Sequence, residues 1–177
     1  MRDSRKAAIM IVRDAQPPDY PAVAELMRAF IRWHYDRHAS DRALIDSYFD
    51  DATYEAELGN LPGYYAPPTG ALLVAEIDGK VVGCVALKPL DDRRCEMKRL
   101  FVDPAAHGTG AGQALARAII ERGKRLGHSK MLLDTGPKQV EAQTLYRKLG
   151  FRDAEPYYDM SPELRDWLVF MERDLGD

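Results

Sequence analysis

The chain has 177 residues, of which 46% are hydrophobic and 30% charged, a balance that excludes an intrinsically disordered protein. Its 25 basic and 28 acidic residues give a net charge of −3, which argues against a nucleic-acid partner because such proteins usually carry a basic surface. No apolar run reaches the roughly 18 residues of a membrane span and nothing resembles a signal peptide, so we expect a cytoplasmic protein with no membrane partner.

The first part of the chain predicts a strand, two helices and a loop. Residues 7–13 form an apolar run typical of a strand, and Pro17 and Pro18 open a helix whose apolar side chains recur at three-to-four spacing. A second helix is predicted over residues 40–56. Residues 58–70 contain three glycines and three prolines, a composition that predicts a loop.

The rest of the chain predicts a β-meander followed by alternating helices and strands. An Asp-Gly dipeptide that suits a hairpin turn joins the first two strands of the meander. Expected strands cover residues 71–77, 80–87, 94–102, 130–135 and 166–174, and expected helices cover 110–126 and 138–149. Cys84 and Cys95 fall in predicted strands and are expected to be buried reduced thiols. With no repeat or linker, the pattern predicts one domain over residues 1–177.

A glycine-rich loop, H-G-T-G-A-G at 107–112, joins a predicted strand to a predicted helix. Its glycines allow a sharp turn, and the helix start adds unpaired N–H groups, so the junction suits a pyrophosphate. A tight turn without ligand is the alternative. A Walker A loop is excluded because Gln113 and Ala114 follow Gly112, and a Rossmann fingerprint fails at Gln113 as well. Asp134 at the end of the next strand keeps a nucleotide-binding oxidoreductase as a weaker alternative.

The glycine loop and its flanks resemble motif A of the GNAT superfamily of N-acetyltransferases over residues 95–115, CEMKRLFVDPAAHGTGAGQAL. Residues 139–151, QVEAQTLYRKLGF, resemble motif B of the same superfamily. The resemblance implies a GNAT-like mixed α/β (α+β) fold, with a central, mostly antiparallel, twisted sheet of about six to seven strands flanked by about four helices. Two positions depart from the family pattern: His107 replaces Gln or Arg, and Gln139 replaces Asn.

The same resemblance implies acetyl-CoA as cosubstrate, no metal, and direct acetyl transfer in a ternary complex to a primary amine of a small molecule or peptide. The donor is expected to bind where strands 94–102 and 130–135 part. The acceptor amine is not identified, and homodimerisation is left open. The residues implied to bind acetyl-CoA are Leu100, Phe101, Val102, His107, Gly108, Thr109, Gly110, Ala111, Gly112, Gln139 and Tyr146.

Two side chains are candidates for the proton transfers. An amine with a pKa near 10.4 lies about 3.4 units from neutrality at pH 7, which costs roughly 4.6 kcal/mol in nucleophile population. Glu96 is the candidate base, and its alternative is a solvent-facing or salt-bridged residue beside Lys98 and Arg99. Tyr146 is the candidate acid for the departing thiolate, and its alternative is a core aromatic.

Two further predictions concern the residues that line the acceptor-binding cleft and a possible function without catalysis. Candidates for lining the acceptor cleft are residues 63–66 together with Trp33, Tyr35, Tyr157 and Tyr158, which could equally serve packing or a dimer interface. The alternative function is a non-catalytic acyl-CoA-binding or sensing module.

Overall fold

A computed structural model describes residues 9–176, and its central feature is a seven-stranded sheet. The strands lie side by side in the order β1-β2-β3-β4-β5-β7-β6, and only β4 and β5 pair in parallel. This confirms the predicted mixed fold with a mostly antiparallel sheet. In chain order the strands are β1 (Met10–Asp14), β2 (Ala71–Ile77), β3 (Lys80–Pro89), β4 (Arg94–Val102), β5 (Lys130–Thr135), β6 (Arg152–Asp153) and β7 (Val169–Asp174).

Helices cover both faces of the sheet. Because side chains alternate along a strand, Leu73 of β2 packs on one face with α5, whereas Leu72 and Val74 pack on the other with α1. Each face therefore has its own apolar core. The helices are α1 (Tyr20–Arg37), α2 (Arg42–Tyr48), α3 (Asp51–Gly59), α4 (Leu61–Tyr65), α5 (Ala111–Arg125), α6 (Val140–Lys148) and α7 (Pro162–Trp167).

The described residues contain seven α-helices where about four were expected, and the surplus lies in two regions. The predicted helix over 40–56 is split in two, because Asp50 caps a new helix by accepting a 2.9 Å hydrogen bond from the Thr53 N–H. The predicted loop over 58–70 contains α4, whose cap is Asn60. Side-chain caps rather than apolar periodicity set these boundaries.

The predicted last strand over 166–174 is wrong in its first residues, because α7 runs through Trp167 and the strand begins at Val169. The Ser161 hydroxyl caps α7 by accepting a 3.3 Å hydrogen bond from the Leu164 N–H. At the other end of the chain, the predicted strand over 7–13 is found at Met10–Asp14. Residues 7 and 8 lie outside the described residues.

The parallel pair β4–β5 is short, and its shortness creates the site. Residues 94–96 of β4 pair with 130–132 of β5, and beyond that point the two strands separate. Within residues 9–176 the rest of β4 is paired on its β3 side only, so its other edge is open. The strands thus part at the place expected for donor binding.

Candidate active site

A groove of about 670 Å³ follows the open edge of β4 to the start of α5. This volume is in the range typical of small-molecule sites, about 300–1,000 Å³. The structure brings ten of the eleven predicted acetyl-CoA-binding residues to this groove. They are Leu100, Phe101, Val102, His107, Gly108, Gly110, Ala111, Gly112, Gln139 and Tyr146.

Thr109 is the exception, since it does not line the groove and its side chain closes the loop instead. The Thr109 hydroxyl donates a 2.7 Å hydrogen bond to the Ala106 carbonyl and accepts a long one of 3.4 Å from the Ala111 N–H. Its predicted contact with the donor is therefore not supported by its position. Thr109 supports the loop rather than forming the groove wall.

The start of α5 fits an anion. Gly108 and Gly110 have φ angles of 80° and 87°, a conformation that side chains disfavour, although an added Cβ would meet no atom within 4 Å at either position. Gly110, which precedes α5, has no side chain to cap it, so apart from the Ala111 N–H near Thr109 the first turn presents its N–H groups and the positive end of the helix dipole. The groove therefore fits the pyrophosphate of acetyl-CoA at this end.

His107 and Gln139, the two departures from the family pattern, are both held by the backbone. His107 Nε2 lies 3.1 Å from the Val102 carbonyl, so the imidazole donates this hydrogen bond. Gln139 Oε1 accepts hydrogen bonds from the Thr135 hydroxyl at 2.8 Å and from the Gly136 N–H at 2.5 Å. Both side chains therefore fix turns that border the groove.

A second, narrower cavity of about 50 Å³ lies where β4 and β5 part. Its walls include the side of β4 that carries Glu96 and the end of β5 that carries Asp134. Four residues line both this cavity and the groove: Phe30, Leu100, Gln139 and Tyr146. The two spaces therefore meet beside Leu100 and Tyr146.

Glu96 lies on the cavity wall and is only 5% exposed. Its carboxylate accepts a 2.8 Å hydrogen bond from the Tyr157 hydroxyl and lies 3.4 Å from the Lys98 ammonium. The alternative of a solvent-facing Glu96 is wrong, whereas the salt-bridged alternative is correct and coexists with a position in the cavity.

Tyr146 of α6 is 7% exposed, and its hydroxyl donates to no residue within the described range. Its ring packs 5.8 Å from the ring of Phe151. Burial raises the pKa of Tyr146, and the nearby Asp134 raises it further, so the phenol remains protonated at neutral pH. A protonated hydroxyl with no protein acceptor thus lies at the junction of the groove and the cavity.

The acceptor side of the cavity holds a carboxylate that sequence reasoning did not assign to the site. Asp134 Oδ1 accepts a 2.5 Å hydrogen bond from the Tyr48 hydroxyl, and Oδ2 accepts one of 2.5 Å from Tyr158. Burial and Asp134 raise the pKa of both phenols, which keeps them as donors. The position of Asp134 at the end of a strand that leaves its parallel neighbour was the available signal.

The residues suggested for the acceptor cleft have different positions, and residues 63–66 line neither the groove nor the narrow cavity. Tyr157 and Tyr158 bond to the two cavity carboxylates, as described above. Trp33 lines the groove instead. Tyr35 lies elsewhere, and its hydroxyl donates a 2.5 Å hydrogen bond to Asp46.

Arg99 is the second residue that sequence reasoning missed, since it was considered only as a charged neighbour of Glu96. Its Nε and Nη2 donate to Glu57 at 2.9 and 2.8 Å, and the guanidinium lies 4.7 Å from the ring centroid of Tyr54. Arg99 has a φ angle of 58°, and Arg99 and Leu100 together oppose the single residue Val85 of β3. This β-bulge bends β4 at the point where the groove and the narrow cavity meet.

His34 gives the fold a predicted sensitivity to acid. Burial lowers the pKa of His34 to about 3, so the unfolded chain takes up a proton near pH 6.5 that the folded protein rejects. Stability therefore falls as pH drops below about 6.5, by roughly 2 kcal/mol between pH 7 and 5 from this residue alone. We expect His34→Gln to reduce this loss, as measured by urea unfolding at both pH values.

The control for this prediction is His107→Gln, which removes an exposed histidine. It should leave the difference in unfolding free energy between pH 7 and pH 5 as in the unmodified protein. An equal pH dependence in His34→Gln and the unmodified protein would contradict the assignment.

Some other chemistries can be judged within residues 9–176. No group of three or more His, Cys, Asp or Glu side chains there could hold a metal ion, and no helix there has the length and apolarity to cross a membrane. Cys84 and Cys95 are free and buried, as predicted. Burial raises the pKa of each thiol to about 12, which makes both poor nucleophiles.

Comparison with known proteins gives consistent matches. An uncharacterised N-acetyltransferase of Schizosaccharomyces pombe is 43% identical over 104 residues, which are 58% of this chain and 64% of the relative. An IAA acetyltransferase of Azospirillum brasilense is 36% identical over 136 residues, or 76% of this chain and 85% of the relative. The structure of PaiA N-acetyltransferase from Thermoplasma acidophilum in complex with coenzyme A matches with a TM-score of 0.70 at 17% identity, over 94% of this chain and 99% of that one.

These matches differ in reach. The chain spans less than two thirds of the length of the first relative, and the structural likeness at 17% identity shows the fold alone. The sequence model of the "Acetyltransferase (GNAT) family" matches residues 24–151, which is more than half of the chain. The matched range includes the glycine loop and the helix that carries Tyr146. The chain therefore belongs to the GNAT family of acetyltransferases.

Proposed function

We propose that this chain, as one domain, transfers the acetyl group of acetyl-CoA directly to a primary amine in a ternary complex. The observation that carries the proposal is the junction of the groove and the narrow cavity at Leu100 and Tyr146, with buried Glu96 on the cavity wall. A donor in the groove and an acceptor in the cavity would meet there without a covalent enzyme intermediate.

The groove supplies the donor contacts. Residues 100–102 lie on the open edge of β4 and would hydrogen-bond the pantetheine arm as an added strand does. The start of α5 would hold the pyrophosphate. When bound, acetyl-CoA supplies the activated thioester, and the Leu100 N–H would polarise its carbonyl.

Glu96 would take the proton of the acceptor ammonium. The carboxylate faces the cavity and is held by the Tyr157 hydroxyl and the Lys98 ammonium. Glu96 passes this proton to solvent, and the neutral amine then forms a C–N bond as the C–S bond breaks. The nitrogen gives its second proton to the Glu96 carboxylate, which leaves a neutral amide, and this proton also leaves to solvent. General base catalysis of this kind typically contributes 10²- to 10⁴-fold in rate.

Tyr146 would donate its proton to the departing thiolate. Its hydroxyl is protonated at neutral pH and donates to no described residue, so it is available to a sulfur atom at the junction. Solvent then returns a proton to the phenolate. The two proton transfers thus use separate groups at the donor and acceptor sides of the reacting carbonyl.

Thermal unfolding with acetyl-CoA, desulfo-CoA, NADH and ATP in parallel tests the donor assignment. Acetyl-CoA at about 100 times its Kd should stabilise the protein by roughly 2.7 kcal/mol, which raises Tm by about 5–10 °C for a chain of this size. Release of free CoA thiol with a panel of amines then tests catalysis. Stabilisation by NADH alone would refute the proposal, and stabilisation by acetyl-CoA without turnover of any amine would favour the sensing module.

Glu96→Gln should lower kcat/KM mainly at low pH. Below the pKa of the acceptor amine a base is needed, whereas at high pH the amine is already neutral. We expect a loss of about 100-fold at pH 7 that shrinks as pH rises to 9.5, as measured by the release of CoA thiol.

Glu121→Gln is the matched control for this prediction because Glu121 is exposed on α5 and, among residues 9–176, pairs only with Lys124 at 3.0 Å. Its pH profile should be that of the unmodified enzyme. A Glu96→Gln profile of unchanged shape would remove Glu96 from the mechanism.

A further inference from the structure

The charges around the narrow cavity are not all balanced by the protein. The Lys98 ammonium lies by Glu96, and the Arg99 guanidinium is paired with Glu57. Asp134, in contrast, accepts hydrogen bonds from neutral phenols and forms no ion pair within the described range. Because a carboxylate facing a narrow protein cavity is best stabilised by a cation, this end of the cavity is complementary to an ammonium group.

A positive charge that could bind a carboxylate is provided by the guanidinium of Arg99. A guanidinium has five N–H donors, and its Nε–Nη2 edge is occupied by Glu57. Nη1 donates to none of residues 9–176, so the end of the guanidinium formed by Nη1 and the second N–H of Nη2 is free. Arg99 is on the cavity wall, and planar N–H pairs of this kind bind carboxylates in bidentate fashion.

Arg99 and Asp134 are both wall residues of the same small space. Arg99 and Asp134 line one cavity of about 50 Å³, which also contains Tyr48 and is bordered by Phe30 and Trp167. A space of this size holds a few waters or a small molecule rather than a folded segment. An acceptor that carries an ammonium and a carboxylate on one carbon atom would match the two charges.

We infer that the acceptor is a small free amino acid, with its ammonium at Glu96 and Asp134 and its carboxylate on the free end of Arg99. This inference rests on the proposed function and identifies its acceptor class. Glu96 removes the ammonium proton, Asp134 orients the nitrogen, and Arg99 is the specificity-determining residue. The Tyr48 and Tyr158 hydroxyls hold the Asp134 carboxylate in place.

The test compares acceptors that share an amine and differ in the carboxylate. The twenty amino acids are assayed for CoA-thiol release with acetyl-CoA, and glycine, alanine and serine are paired with their amides and with methylamine, ethylamine and ethanolamine. We expect kcat/KM to fall about 10- to 100-fold when the carboxylate is removed, as for a lost charge-assisted hydrogen-bond pair. The amides have the less basic amines, so the amine's own protonation works against the expected preference.

Each outcome separates the inference from the proposed function. Absence of acetyl-CoA binding would defeat the proposed function. Acetylation of amines or amides as fast as amino acids, or acetyl-CoA binding without turnover of any amino acid, would overturn the inference.

Arg99→Lys tests the guanidinium directly, since lysine keeps the positive charge but lacks the planar N–H pair. We expect KM for the amino acid to rise about 10-fold, with KM for acetyl-CoA unchanged. Arg13→Lys is the matched control, because Arg13, like Arg99, is held in carboxylate pairing, here with Asp19 and Glu76, and lines neither the groove nor the narrow cavity. An unchanged amino-acid KM in folded Arg99→Lys would overturn the assignment, and if this variant fails to fold the acceptor series decides.

Discussion

Tyr146→Phe is expected to lower kcat by about 100-fold and to leave KM for acetyl-CoA within a few-fold of that of the unmodified enzyme. The substitution removes the one protonated hydroxyl that lies at the junction of the groove and the cavity and donates to no described residue. Loss of a general acid typically costs 10²- to 10⁴-fold, and a donor used only as the thiolate departs affects kcat more than binding. Steady-state kinetics with the best amine acceptor measures both constants.

The same substitution should hardly change the stability of the protein. No hydrogen bond to a described residue is lost and the ring can keep its packing on Phe151, so the free energy of unfolding should change by less than about 0.5 kcal/mol. Tyr35→Phe is the matched control for kcat, because the Tyr35 hydroxyl is hydrogen-bonded to Asp46 and lines neither the groove nor the narrow cavity. An unaltered kcat in Tyr146→Phe would leave the thiolate to be protonated by solvent.

The parts of the site that could be predicted from sequence are those encoded locally. The glycine loop at 107–112 and the following helix form a contiguous stretch, so their joint ability to hold a phosphate is readable from spacing and composition. Tyr146 is similarly fixed by its position in one short helix, α6. The β-meander was predicted closely because its turns and alternation are local as well.

The parts that could not be predicted depend on contacts between distant segments. Asp134 hydrogen-bonds to Tyr48, which is 86 residues away in the sequence, and Arg99 hydrogen-bonds to Glu57, which is 42 residues away. No sequence motif of fixed spacing predicts such contacts. The left-handed backbone of Arg99 was also hidden, because arginine has no preference for that conformation. The contacts of this residue are tertiary, and the ion pair with Glu57 is one of them.

The Arg99–Glu57 pair leads to the second large expected effect: Glu57→Gln should lower the free energy of unfolding by about 3 kcal/mol. Both side chains are at most 10% exposed, and removal of one partner leaves the other charge buried without compensation. Burial opposes ionisation of Glu57, but the hydrogen bonds from Arg99 outweigh it, so the pKa of Glu57 is lowered and the carboxylate is charged at neutral pH. Urea unfolding at pH 7 measures the loss.

The double variant Glu57→Gln/Arg99→Met separates the cost of an unpaired charge from the value of the pair. Replacing both partners by uncharged groups should recover much of the lost stability, because no charge then remains buried. Glu55→Gln, which breaks the exposed pair with Arg28, should change stability little. Since the pair also holds the bulge beside Leu100, kcat with an acceptor that lacks a carboxylate should fall in both Glu57 variants, even where stability is recovered. Such an acceptor, for example ethylamine, makes no use of the Arg99 guanidinium. An unchanged kcat with it in a stable double variant would show that the bulge keeps its shape without the ion pair, and the Leu100 N–H would then owe its position to the pairing of β4 with β3.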